Sequence, residues 1–225
     1  MNGRSAAGPP AAGAAMTPEL IAVADAAKGF LPPDEAAALH RSGLVAAAAG
    51  RGPLLEVGAY CGKSAVWLGA AARAGGTVLY SVDHHRGSEE NQAGWAWHDP
   101  DLVDPASGRI DTLPFWRRTL AAAGLEDTVI AVVGDSATVG RWWATPLGLV
   151  FIDGGHGEDV VRADEAAWVH HVAPGGLLAI HDVFPDPADG GRPPFELYQR
   201  TLASGVFVDE PDLGQGSLRV LRRRA

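Results

Sequence analysis

Five acidic residues fall in or just after short apolar runs: Glu56 within 54–57, Asp83 after 77–82, Asp135 after 128–133, Asp153 after 147–152 and Asp182 after 177–180. One such acid means little, because Asp is common in turns. Five in phase with five apolar runs form a pattern. Two histidines accompany them: His156 stands three residues after Asp153, and His181 directly precedes Asp182. Carboxylates accept hydrogen bonds from vicinal hydroxyls and attract cations, and imidazole moves protons near neutral pH. The first run opens into Glu56-Val57-Gly58-Ala59-Tyr60-Cys61-Gly62-Lys63-Ser64. Its glycines let the backbone turn tightly against a ligand, and the helix that follows offers unbonded N–H groups. A dinucleotide fingerprint requires G-x-G-x-x-G, which this loop lacks. A phosphate-binding P-loop requires G-x-x-x-x-G-K-[ST]; Gly62-Lys63-Ser64 fits its end, but Gly58 stands one residue too close. The pattern E-x-G-x-x-x-G-x-S fits at every position.

These residues need elements to hold them. Thr17-Pro18-Glu19-Leu20 reads as a helix start, with a hydroxyl cap, Pro at the first helical position and an acid in the first turn. That helix runs to about Lys28, and a second spans Pro33 to Gly50; together residues 17–50 form a small N-terminal helical cap. From residue 51 apolar strands alternate with helices predicted over 64–74, 112–123, 158–172 and 193–203. Such alternation predicts an α/β fold: a Rossmann-like, mostly parallel sheet with helices on both faces. Two closing strands, 206–208 and 218–221, are joined too tightly for a crossover helix, so they should pair antiparallel. The seven-stranded sheet then places its strand-end acids along one crevice. Residues 84–111 form an unusually long connection. It carries His84, His85, Arg86, Glu89, Glu90, Asn91, Trp95, Trp97 and His98, and reads as a substrate lid, or else as a structural or oligomer-forming insert.

Composition excludes several classes. The 225-residue chain carries a net charge of −9 and a single cysteine. One cysteine excludes an intrachain disulfide framework. The acid excess argues against a nucleic-acid partner, whose phosphates need clustered cations. No run approaches the roughly 18 apolar residues of a membrane span, so no membrane partner is expected. Residues 1–16, rich in Ala, Gly and Pro, read as a disordered tail rather than a secretory leader, which predicts a cytoplasmic protein. Some features have plain readings: Cys61 as loop packing, Trp142-Trp143 as core or rim packing, His170-His171 as a helix-end complement, and Arg222-Arg223-Arg224 as a solvated end.

Taken together, the Glu56/Gly58/Gly62 loop, Asp83, Gly134-Asp135-Ser136, Phe151-Ile152-Asp153-Gly154-Gly155-His156 and Pro174-Gly175-Gly176 resemble class I S-adenosylmethionine-dependent methyltransferases over about residues 53–221. The resemblance implies a cofactor site of Glu56, Gly58, Gly62, Ser64, Asp83, Asp135, Ser136 and Asp153. The glycine loop would pack under the methionine part, Asp83 would take the ribose hydroxyls, and Asp135 would contact the adenine amino group with Ser136 beside it. The second half is similar to a metal-dependent subset that methylates hydroxyl groups, including macrolide-sugar O-methyltransferases. That similarity implies Mg²⁺ or another divalent cation at Asp153, His181 and Asp182, with Asp153 and His156 catalytic and His156 the general base. His181 departs from the subset, where an acidic ligand is usual. Either it faces away and Mg²⁺ keeps more water, or the metal is softer, or no metal binds. The implied activity is O-methyl transfer to a small-molecule acceptor, a sugar, polyketide or phenolic natural product. A homodimer or higher homo-oligomer is a family expectation. The rival readings are a nucleotide-dependent oxidoreductase or NTPase on a similar sheet, and a non-catalytic cofactor-binding module.

Overall fold

The computed structural model describes residues 15–225 except 187 and 190, so most of the tail expected over 1–16 lies outside the described residues. Two helices come first, α1 (Pro18–Ala26) and α2 (Pro33–Ala49). As the sequence predicts, Thr17 caps α1, its hydroxyl accepting from the Leu20 N–H. The chain then alternates β1 (Leu54–Val57), α3 (Lys63–Ala74) and β2 (Leu79–Asp83). A short hairpin of two-residue strands, β3 (Val103–Asp104) and β4 (Arg109–Ile110), precedes α4 (Leu113–Ala123) and β5 (Val129–Val133). There follow α5 (Ser136–Arg141), β6 (Leu147–Ile152), α6 (Glu158–Trp168), β7 (Val172–Ile180), α7 (Arg192–Ala203), β8 (Phe207–Asp209) and β9 (Arg219–Arg223).

Seven strands form one sheet in the order β5-β2-β1-β6-β7-β9-β8. All neighbours pair parallel except β9, which runs antiparallel to both β7 and β8. Alternate residues of the central strands serve different faces, as the two-residue strand period requires. Leu54, Leu149, Phe151 and Leu177 pack on the side covered by α1 to α4, with Leu39, Leu68 and Leu120. Leu55, Val150, Ile152, Leu178 and Ile180 pack on the other side, with Val161 and Trp168 of α6 and Leu197 of α7. Continuous apolar runs are the signature of strands buried on both faces.

The register places the site. Val57 pairs with Val82 on one side and Ile152 on the other, and Ile152 pairs with Ile180. The residues that follow these positions therefore emerge in one row.

The structure corrects three expectations. The helix predicted over 158–172 ends at Trp168; a 3₁₀ turn, Val169–His171, follows, and Val172 is already paired with Leu147 in the sheet. The short α5 was not foreseen. Arg222 and Arg223 belong to β9 rather than a solvated end, and Arg222 bonds Glu210 at 2.5 Å.

Candidate active site

At the β1 end the loop is built around two carboxylates. Gly58 adopts φ +89°, and a Cβ there would run into the Asp153 carbonyl oxygen. Only glycine lets the loop lie this close to the end of β6. Beneath it Glu56 is fully buried, accepting from Ser81 Oγ at 2.6 Å and Ser64 Oγ at 2.8 Å. Trp116 donates its indole N–H to Ser81 in turn. Burial pushes the Glu56 carboxyl up to about 7, against the two serine hydrogen bonds. Asp83 accepts from the Ala59 and Tyr60 N–H groups on Oδ2, at 2.9 and 2.8 Å, and from the His85 N–H on Oδ1 at 2.7 Å. A carboxylate offers about four acceptor positions, so Asp83 has most of its capacity committed to the backbone.

Further along the same edge, Asp135 caps α5. Its Oδ1 accepts from the Thr138 N–H at 2.8 Å and the Thr138 hydroxyl at 2.6 Å, and the hydroxyl contact leads in holding its pKa low. Ser136 turns inward, donating to Asp164 at 2.6 Å and accepting from the Trp168 indole at 2.8 Å. Burial raises Asp164 to about 6. Trp143 packs edge-on against Tyr80 and Trp168, while Trp142 lies open to solvent.

The β6 and β7 ends carry a different cluster. His181 is buried between three carboxylates: Nδ1 lies 3.0 Å from Asp153 Oδ1 and 3.2 Å from Asp182 Oδ2, and Nε2 lies 2.6 Å from Glu35 Oε2. Burial works to lower its pKa, but contacts with Asp153, Asp182 and Glu35 overcome it and push it up to about 12. Burial likewise opposes ionisation of Asp182, yet hydrogen bonds with His156 and His181 hold it well below the usual carboxylate range. His156 Nε2 lies 2.8 Å from Asp182 Oδ2, and its Nδ1 faces Glu90 Oε2 at 3.4 Å. The Asp182 contact raises the His156 pKa above its ordinary value. Asp153, His181 and Asp182 each offer a ligand atom within 4.8 Å of the others. Behind them a cleft is lined by Val161, Ile180, Pro194 and Leu197.

The connection over 84–111 is anchored rather than loose. Lys28 pairs with Asp99 and Asp101, Arg86 with Asp111, and Leu102 and Ile110 bury against Cys61. Burial pushes the Cys61 thiol up to about 12, as suits a packing residue. The Phe30 ring meets Tyr60 at 5.7 Å and Trp97 at 5.1 Å between centroids, and about half of Phe30, Trp95 and Trp97 stays exposed. Among the described residues three non-glycines adopt left-handed backbone, Tyr60, His85 and Asp182, each within three residues of a strand end. Strain of this kind concentrates at functional sites.

The structure thus gathers Gly58 and Asp83 on one stretch of the edge and Asp153, His156, His181 and Asp182 on the next, while Glu56, Ser64 and Ser136 face inward. Sequence reading missed Glu35, Glu90 and Asp164 as parts of these networks. Asp164 left a signal: Val161, Asp164 and Trp168 share one helical stripe, so a carboxylate sits on an apolar face. Glu35 left none, because its partner His181 lies 146 residues away.

Residues 55–183 match the family model described as a methyltransferase domain. Three solved structures align over most of the chain. An O-methyltransferase from Bacillus cereus in complex with SAH is 16% identical, with 92% of this chain and 89% of that one covered and a TM-score of 0.61. A TDP-rhamnose 3′-O-methyltransferase of calicheamicin biosynthesis is 16% identical, over 86% and 82%, with a TM-score of 0.58. Cofactor-bound Rv0187 from MTB is 19% identical, over 91% and 88%, with a TM-score of 0.54. At these identities the likeness is one of fold.

Proposed function

The chain belongs to the methyltransferase-domain family of S-adenosylmethionine-dependent enzymes, and on that premise we propose that it methylates a hydroxyl group of a small molecule. The observation that carries this reading is the Asp182–His156 contact of 2.8 Å beside the Asp153–His181–Asp182 cluster. It sets an oriented base next to a cation-binding donor set.

His156 is the general base. Asp182 holds Nε2–H, which leaves Nδ1, the nitrogen turned toward Glu90, to receive the acceptor's proton. The acceptor oxygen attacks the methyl carbon, the carbon–sulfur bond breaks, and S-adenosylhomocysteine leaves with the electron pair. The crevice supplies alignment. Asp83, with about one acceptor position uncommitted, takes one ribose hydroxyl rather than both. Asp135 accepts from the adenine amino group, and Gly58 and Gly62 let the loop pack under the methionine part. Glu56, Ser64 and Ser136 support this site from within.

Asp153, His181 and Asp182 fit a divalent cation. A cation there would displace the Nδ1 proton that Asp153 and Asp182 hold at 3.0 and 3.2 Å; with Nε2–H still donated to Glu35, Nδ1 and the two carboxylate oxygens would be its ligands. An imidazole in the set favours Mn²⁺, Co²⁺ or Zn²⁺ over Mg²⁺. A bound cation would lower the pKa of the acceptor hydroxyl. The exposed rings of Phe30, Trp95 and Trp97 suit an acceptor with an apolar face, such as a sugar or a phenol. The solved TDP-rhamnose methyltransferase of similar fold makes sugar nucleotides the first acceptors to try.

The test is methyl transfer from S-adenosylmethionine to sugar-nucleotide, phenolic and polyketide acceptors, by wild type and His156→Ala, with and without a chelator. Cofactor binding is measured separately. Transfer that survives both the substitution and the chelator overturns the base and cation assignments. Binding of the cofactor with no transfer to any acceptor favours a sensor module.

A further inference from the structure

Glu35 lies in the first turn of α2, where an acid ordinarily complements the helix dipole in solvent. Its neighbour Asp34 is exposed, but Glu35 is 5% exposed. A buried carboxylate costs several kcal/mol unless it is fully paired, so its placement needs another cause. Its donors come from two distant segments: His181 Nε2 at 2.6 Å, the Ser217 N–H at 2.7 Å and the Ser217 hydroxyl at 3.0 Å. The turn before β9 is shaped around it. Gly216 adopts φ +54°, and a Cβ there would run into Glu35 Oε1.

We infer that Glu35 is a positioning residue for methyl transfer. By accepting the Nε2 proton of His181 it fixes the ring so that Nδ1 points at Asp153 and Asp182. The N-terminal helices thereby become a wall of the site. The consequence for cation binding rests on the reading of Asp153, His181 and Asp182 given above; the location of the proton does not. Outer carboxylates of this kind fix the tautomer and direction of a ligating imidazole.

Glu35→Gln separates this role from packing. The Ser217 backbone donor cannot reverse, so the amide oxygen must face it. The amide NH₂ then points at His181 Nε2 and requires a lone pair there, which leaves a ring proton on Nδ1. In protein labelled with ¹⁵N-histidine, wild-type His181 is expected to carry a proton on Nε2, and Glu35→Gln to lose it. Mn²⁺ binding measured calorimetrically without acceptor should weaken roughly 10- to 100-fold. Ser217→Ala, which removes only a hydroxyl donor from the same carboxylate, should leave both readouts as in wild type. A wild-type His181 without the Nε2 proton overturns the inference, and this needs no variant to fold. So does a Glu35→Gln protein that keeps that proton, or a Ser217→Ala protein that changes both readouts equally. If wild type binds no Mn²⁺ yet shows the Nε2 proton and loses it in Glu35→Gln, the cation reading falls and the positioning role stands.

Discussion

The carboxylates on the two halves of the sheet edge do different work. Past β2 and β5, Asp83 and Asp135 spend themselves on backbone N–H groups and a threonine hydroxyl; they hold loops in shape. Past β6 and β7, Asp153 and Asp182 meet imidazoles, and Glu35 reaches in from outside the sheet to do the same. There the acids lie within hydrogen-bond reach of ring nitrogens. The same residue type at the same edge of the sheet meets backbone and hydroxyl donors on one half and imidazoles on the other. What differs is the partner each acid meets, and the sheet's registration alone does not choose it.

The difference can be broken or sharpened by experiment. The largest effect is expected from His156→Ala: methyl transfer should fall by about 10²- to 10⁴-fold, the usual worth of a general base, while calorimetric affinity for S-adenosylhomocysteine stays near wild type. An equal loss of cofactor affinity would mean that the two halves are not separable. Next comes Glu56, at the seam between them. Its carboxyl titrates near 7 in the folded protein, against an ordinary value of 4.5. The folded state therefore binds the extra proton between these values, so the contribution of this group to stability is largest below pH 4.5 and declines as pH rises through 7. In Glu56→Gln this part of the decline, on the order of 2–3 kcal/mol, should vanish. Urea unfolding of wild type and variant at pH 5 and pH 8 measures it, and identical pH dependence would refute it. Asp83→Ala should weaken cofactor binding roughly 10- to 100-fold, the worth of about 1.5–3 kcal/mol for bonds to a charged group, with kcat at saturating cofactor changed less. The smallest effect belongs to Asp135→Ala. Loss of the α5 cap should cost about 1 kcal/mol, seen as a lower melting temperature, and should leave the Mn²⁺ titration unaltered.

Much of this organisation was legible in the sequence for a physical reason. The central strands are buried on both faces, so they appear as unbroken apolar runs, and the acids that end them are counted from those runs. Register then does the rest. The inward networks were hidden, because a helix acid such as Glu35 has the same local signature whether it meets water or His181. Helix 158–172 was overdrawn because Val169 to Val172 continues an apolar pattern that only the pairing of Val172 with Leu147 interrupts. The six-residue α5 lacks the length that makes a periodic pattern readable. His181 departed from the resemblance, and the geometry gives that departure a content: the ring faces the cluster, with its far nitrogen held by Glu35.

Tyr60, His85 and Asp182 bear on heat tolerance. A left-handed side-chain-bearing residue costs about 1–2 kcal/mol, and domains of this size hold only about 5–15 kcal/mol in all. Glycine at position 60 or 85 would relieve that strain only by removing a ring packed on Phe30 or a buried imidazole bonded to Thr112. At position 182 glycine would remove the carboxylate that both His156 and His181 contact. The ceiling on the protein's thermal endurance is thus set in part by one residue that cannot be made more comfortable without disarming the site.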